Sequence, residues 1–252
     1  MRDASILKRG ENMGGKPIIF ELFGIEITFS IVLSTLITCA SVIVFTYFTT
    51  KKLSIRPNRG QTVMEMLVNF IKDIVTNNVK WEVAGKPLTI FGTTLFLFIL
   101  MSNLLDLPFF VEAGGYSFWN APTANAVVCL VLSLMVILLS HYLGIQRFGF
   151  KKYVSKNYLE PVKFLLPLKI LEEFTNTLTL ALRLYGNIYA GEVLIALLAQ
   201  MSLAAGLGTI IPAVVLTVIW QAFSVMVAGI QAYVFTTLSM VYIGHKLEDS
   251  HD

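Results

Sequence analysis

Charge is what this 252-residue chain most lacks: Asp, Glu, Lys and Arg make up 14% of it, where a soluble domain carries roughly a quarter. Hydrophobic residues make up 56% and the mean hydropathy is +0.72, so the composition suits a lipid bilayer rather than water. The net charge is only +3, and the basic residues gather in two loops instead of along one face, which argues against a nucleic-acid surface. Both cysteines, Cys39 and Cys129, lie inside apolar runs and are expected as small packing residues, not as a disulfide or metal pair. There is no paired-histidine zinc motif, phosphate loop or nucleophile elbow. No catalytic residue, metal or cofactor is therefore expected. Arg2, Lys8, Arg9 and Lys16 precede the first long apolar run, but no apolar core accompanies them, so no cleavable signal peptide is expected.

What the chain has is long apolar runs. A hydrocarbon core about 30 Å thick needs roughly 20 residues of helix. The runs predict an all-α polytopic membrane protein forming one integral domain over residues 1–252. An N-terminal segment (1–26) is followed by spans at 27–50, 88–110, 121–142, 168–205 and 212–244. Between the first two, residues 62–77 place Val63, Leu67, Phe70, Ile71 and Ile74 among Glu65, Asn69, Lys72 and Asp73. That pattern predicts an amphipathic helix lying in the interface. Gly206-Leu207-Gly208 is expected to break the last two helices apart, with Pro212 opening the final one.

Lys51, Lys52, Arg56 and Arg59 form one basic loop; Arg147, Lys151, Lys152, Lys156 and Lys163 form the other. Two spans separate them, so both lie on one side, and the positive-inside bias makes that side cytoplasmic. The C-terminus is then cytoplasmic and the N-terminus outside. The basic residues before the first span oppose this locally, but the two later loops agree with each other and decide it.

Arg183 lies in the middle of the fourth span. A guanidinium keeps its charge at any ordinary pH, and holding it in a bilayer costs from about 3 to more than 10 kcal/mol. Such a group marks a path for ions, protons or charged substrates more often than simple packing. Glu192 follows nine residues on, about 900° of rotation and roughly 13–14 Å along the axis, so each charge needs its own partner or water. Asn176, Thr179, Arg183 and Asn187 share a face, with Glu172 near it and Glu173 beside Glu172. The last helix has a stripe of Gln221, Ser224, Ala228, Gln231, Phe235, Ser239 and Tyr242, which either packs closely against a neighbour or lines a wet path. Asn103 and Asp106, near the outer end of the second span, either cap that end or open an outer vestibule. His141 and His245 lie near span ends and are expected to be interfacial.

The run Leu182-Arg183-Leu184-Tyr185-Gly186-Asn187, followed by Ala190-Gly191-Glu192, resembles the signature of the F-type ATP synthase subunit a family, the membrane stator of the Fo sector. Ser102-Asn103-Leu104-Leu105-Asp106-Leu107-Pro108, the amphipathic helix and Gln231 extend the resemblance over nearly the whole chain. It implies that the last two helices form a long tilted hairpin against a ring of c subunits, each bearing a membrane carboxylate. Two half-channels would reach that carboxylate from opposite sides, with Arg183 between them favouring its ionised form. Arg183, Asn187, Glu192 and Gln231 would serve the proton pathway; Asn103, Asp106, Glu172, Glu173, Asn176 and Ser224 would be accessory. The implied partners are the c-ring, the peripheral-stalk b subunits and the lipid bilayer of a bacterial plasma membrane. Adenine-nucleotide chemistry would belong to other subunits. Lys169 stands where many relatives have a glutamate, and Ser224 where some have a histidine.

An ion-coupled secondary transporter or channel with an intramembrane Arg/Glu pathway is the alternative. A transporter would usually show two related halves, and no internal repeat is present. An intramembrane enzyme would need a nucleophile or metal cluster that the spans do not supply.

Overall fold

The computed structural model describes residues 19–22, 25–51, 58–106, 112–113, 116–117, 122–155, 166–204 and 207–247. Two short antiparallel ribbons come first and midway: β1 (Ile19–Leu22) with β2 (Ile25–Thr28), and β3 (Glu112–Ala113) with β4 (Tyr116–Ser117). The rest is helical: α1 (Phe29–Thr50), α2 (Arg59–Asn78), α3 (Trp81–Asp106), α4 (Ala126–Phe148), the short α5 (Phe150–Val154), α6 (Leu166–Ala204) and α7 (Leu207–Leu247). A 3-10 turn, Pro122–Ala124, leads into α4. Five helices, α1, α3, α4, α6 and α7, are long and apolar enough to cross a bilayer. The chain is an all-α polytopic membrane protein.

Its surface shows the inversion expected in lipid. On α1 the buried stripe is Ser30, Ser34 and Thr38, while Leu36, Ile43, Val44 and Phe48 point outward. Small hydroxyl residues let helices approach closely, and two of these hydroxyls return a bond to their own helix: Ser34 Oγ to the Ile31 carbonyl at 3.1 Å and Thr38 Oγ1 to the Ser34 carbonyl at 2.9 Å. Large apolar side chains gain nothing from burial where the surroundings are equally apolar.

The amphipathic helix α2 is capped by Asn58, whose side chain accepts from the Arg59 amide at 2.9 Å. Ile71, Ile74 and Val75 are buried at i, i+3, i+4 spacing, and the helix packs on α1, α3 and α7. Val63 and Phe70, expected on the same stripe, are exposed at 55% and 42%. The apolar arc is wider than one contact face: Val63 lies outside it, and Phe70 sits at its edge with its ring against Phe96 of α3 and Tyr233 of α7.

α3 begins at Trp81, upstream of the apolar run that starts at Leu88. Its first turn is set off by a kink: Ala84 has non-helical angles (φ −154°, ψ 19°) and Pro87 lies inside the helix. A proline removes one backbone donor and its ring crowds the carbonyl four residues back, here that of Val83. The last part of the expected second span, 107–110, and the expected hairpin break at Gly206 lie outside the described residues. α7 starts at Leu207, before Pro212, so that proline sits inside the helix rather than opening it.

The core lies where α3, α4, α6 and α7 meet, with α2 across one side. Leu88, Leu95, Ile99, Cys129, Val136, Leu180, Leu184, Phe235, Met240 and Ile243 fill it. Glycine permits two close approaches. A Cβ on Gly92 would stand 3.0 Å from both Ile71 and Met240, and one on Gly244 would strike the Asn78 carbonyl. Ser133 donates to the Thr177 carbonyl at 2.7 Å and Ser140 to the Tyr242 carbonyl at 3.2 Å, tying α4 to α6 and to α7.

α6 has 39 residues and α7 has 41, about 60 Å each at 1.5 Å per residue. That is twice the hydrocarbon thickness, so this hairpin crosses obliquely or projects beyond it. Its two helices pack on each other, which sets the polar residues of one facing those of the other.

Candidate functional site

The sequence-predicted site residues other than Arg183 border two cavities along the α6–α7 hairpin. The first, about 220 Å³, is bounded by Asn103 and Asp106 of α3, Asn187 and Glu192 of α6, and Trp220, Ser224 and Gln231 of α7. The second, about 160 Å³, lies towards the C-terminal end of α7. Lys169, Glu172, Glu173 and Asn176 of α6 line it, opposite Tyr242, His245 and Lys246 of α7 and Ser140 of α4.

In the first cavity the amides are oriented by their partners. Asn187 Nδ2 donates to Gln231 Oε1 at 2.8 Å. Gln231 is 3% exposed, and its Nε2 is buried with no partner among the described residues. The Trp220 indole nitrogen is in the same condition. An unpartnered buried donor costs about 1–3 kcal/mol, so two of them at one cavity wall suit a space that holds water or an anionic visitor. Thr123, fully buried in the 3-10 turn, donates to Asn103 Oδ1 at 3.0 Å and shares a hydrogen bond of 3.0 Å with Ser102. The Asn103 side-chain carbonyl is thus occupied. Glu192 is half-buried, and the Asp106 charge acts on it. Asn103 and Asp106 therefore face a space shared with Glu192 and do not merely end a helix.

In the second cavity Glu173 is held from two helices. Its Oε1 accepts from Lys246 Nζ of α7, and its Oε2 lies 3.4 Å from His141 Nε2 of α4. The other ring nitrogen, His141 Nδ1, is 2.5 Å from the Tyr153 hydroxyl of α5. With a carboxylate facing Nε2, that nitrogen carries the hydrogen and Nδ1 accepts from Tyr153. Glu172, next in sequence, is exposed and makes no hydrogen bond or ion pair among the described residues.

Arg183 lines neither cavity. It lies between them on α6, seven residues after Asn176 and four before Asn187, about 10 Å and 6 Å along the axis. It is half-buried and forms no hydrogen bond or ion pair with any described residue; its charge acts on Tyr242, as does that of Glu172. The same stretch of the hairpin is otherwise closely packed, though the buried Thr236 hydroxyl has no hydrogen-bond partner among the described residues. Leu180, Ala181 and Leu184 on α6 and Ala232, Phe235, Thr236, Ser239 and Met240 on α7 are all 2% exposed or less. Ser239, expected on a stripe that could be wet, instead returns its hydroxyl to the Phe235 carbonyl at 2.8 Å. It belongs to this packed stretch.

Sequence reasoning brought Asn103, Asp106, Asn187, Glu192, Ser224 and Gln231 to attention, and one cavity unites them. It missed Trp220, Tyr153 and Lys246, and took His141 as interfacial. Trp220 carried a readable signal, an indole N–H within a membrane-length apolar run. The Tyr153–His141–Glu173–Lys246 chain joins four helices and has no local pattern. Among the described residues, no cluster of three or more His, Cys, Asp or Glu could hold a metal ion.

Comparison with known proteins adds an independent line. The family model described as ATP synthase A chain matches residues 31–244. The chain is 48% identical over 238 residues to an Enterococcus faecalis protein named ATP synthase subunit a, covering 94% of this chain and 99% of that one. A protein of the same name from Priestia megaterium is 45% identical over 241 residues (95% and 100% covered). One from Listeria welshimeri is 42% identical over 243 residues (95% and 100% covered).

Proposed function

Because the chain belongs to the ATP synthase A chain family, we propose that it is the proton-translocating stator of a bacterial F-type ATP synthase. The two cavities serve as half-channels, and Arg183 stands between them. The first cavity, with Asn103, Asp106, Asn187, Glu192, Ser224 and Gln231, opens to the outside. The second, with Glu172, Glu173 and Asn176, opens to the cytoplasm. This orientation follows from the basic loops, which put the C-terminus inside and the N-terminus outside. The c-ring lies against the α6–α7 hairpin, the b subunits of the peripheral stalk brace the chain, and ATP chemistry is left to other subunits.

The observation that carries the reading is Arg183 itself: a half-buried, permanent cation in a span, with no hydrogen-bond or ion-pair partner among the described residues. An intramembrane cation is tolerated when something neutralises it, and a ring carboxylate passing by is such a partner. Beside Arg183 that carboxylate is favoured in its ionised form, so it discharges its proton to one cavity and reloads from the other. The closely packed side chains around Arg183 leave a proton no direct route between the cavities, and the fixed positive charge repels one that enters. Each charge moved across 100 mV is worth about 2.3 kcal/mol, which rotation of the ring converts to work.

Inverted membrane vesicles carrying Arg183→Ala test this. ATP-driven proton pumping should vanish while the assembled complex persists, and passive proton leak should rise. Pumping near the wild-type rate would make Arg183 structural and remove the basis of the reading.

A further inference from the structure

Two adjacent carboxylates line the second cavity, and their surroundings differ. Both oxygens of Glu173 are engaged, one by Lys246 and one by His141, and His141 is itself held by Tyr153. A carboxylate tied to two other helices is a strut. It joins the ends of α4, α6 and α7, and a second tie lies nearby, where Arg147 of α4 donates to the Leu247 carbonyl at 2.5 Å. Glu172 is exposed, borders the same cavity and has no hydrogen bond or ion pair among the described residues. Glu172 and Arg183 both act on the Tyr242 phenol, and the eleven-residue step between them brings the two back to nearly the same face of α6.

On the proposed half-channel function, we infer that the two glutamates divide the work: Glu172 is the proton-exchanging group of the inner cavity, and Glu173 is the anchor that holds its walls. His141 and Lys246 are positioning residues acting through Glu173. During ATP-driven pumping, Glu172 takes a proton from hydronium in the cytoplasmic water and returns it to water deeper in the cavity. The O–H bond formed on one side breaks on the other, and the carboxylate ends as it began. The charged and titratable groups around it are Lys169 and Glu173 on its own helix. From α7 come Tyr242, His245 and Lys246, and from α4 comes His141. Lys169, one turn before both glutamates, supplies a cation that offsets the second acid.

The test uses inverted vesicles, whose outer medium bathes the cytoplasmic face, with rates normalised to assembled complex. Glu172→Gln should lower ATP-driven pumping by about tenfold at alkaline external pH. This is less than the usual effect of losing a general acid-base, because cavity water substitutes in part. The deficit should shrink as external pH falls and free protons become plentiful, so the alkaline limb of the profile moves towards acid. Glu172→Asp should restore the profile. Glu173→Gln should leave its shape unchanged and instead reduce the amount and heat resistance of the complex.

A wild-type profile in Glu172→Gln would overturn the division of labour, as would a displaced profile in fully assembled Glu173→Gln. Failure of Glu172→Gln to assemble would do the same, since that side chain is assigned no structural tie. Arg183→Ala vesicles run alongside separate the two levels. If they pump normally, the half-channel function itself fails. If they are inactive while Glu172→Gln is normal, only the present inference fails.

Discussion

Asn187 and Gln231 share one hydrogen bond across the hairpin, and it decides which end of the glutamine amide is left over. With Oε1 taken by Asn187, the Nε2 donor is left buried without a partner among the described residues. Gln231→Leu removes both the acceptor for Asn187 and the free donor. Asn187→Ala removes only the orientation. A hydrogen bond of this kind is worth about 1 kcal/mol net, so Asn187→Ala should slow ATP-driven pumping by about fivefold. Gln231→Leu should slow it more, and the double variant should be no slower than Gln231→Leu alone. Additive effects would mean that the two amides act independently. Arg183, Asn187 and Gln231 were legible as residues because polar groups are rare in apolar runs. Their pairing was not, since 44 positions separate Asn187 from Gln231 and helical periodicity gives faces, not partners.

Among the helices, length and apolar composition made the five spans legible, but their ends depend on chemistry outside the apolar run. α3 starts at Trp81 because a kinked turn fits before Pro87, with the Trp81 ring covering Gly85. Window hydropathy cannot register that contact. The β ribbons escaped notice for a similar reason: runs of two to four residues are too short for alternation to stand out. The junction of α2 with α7 depends on Gly244, whose missing side chain admits the Asn78 carbonyl. Gly244→Val should cost about 1–3 kcal/mol of packing and lower the amount of assembled subunit in membranes. Gly60→Ala, where a Cβ meets nothing closer than 3.8 Å, should leave it unchanged. Equal levels in the two variants would show that α2 and α7 do not need this close approach.

Taken as one molecule, the chain places two cavities, each bordered by polar side chains, at different levels of the α6–α7 hairpin, with a closely packed stretch between them. Arg183 and Glu192, nine residues apart, have different surroundings: Glu192 borders a cavity, and Arg183 lies on α6 at the level of the buried Leu180 and Leu184, where neither cavity reaches it. From sequence the two charges could be assigned to opposite sides of a helix. Only the packing of α7 on α6 could show that Glu192 borders a cavity while Arg183 lines neither.

Side-selective thiol labelling addresses that arrangement directly. In a background with Cys39 and Cys129 replaced, Ser224→Cys and Asn176→Cys would be exposed to a membrane-impermeant thiol reagent in right-side-out and in inverted vesicles. Ser224→Cys should react only in right-side-out vesicles and Asn176→Cys only in inverted ones, with both patterns lost when Phe235→Ala opens the packed stretch. Reaction of both cysteines from the same side, or of either from both sides with Phe235 intact, would mean one continuous pore and no place for a gate at Arg183.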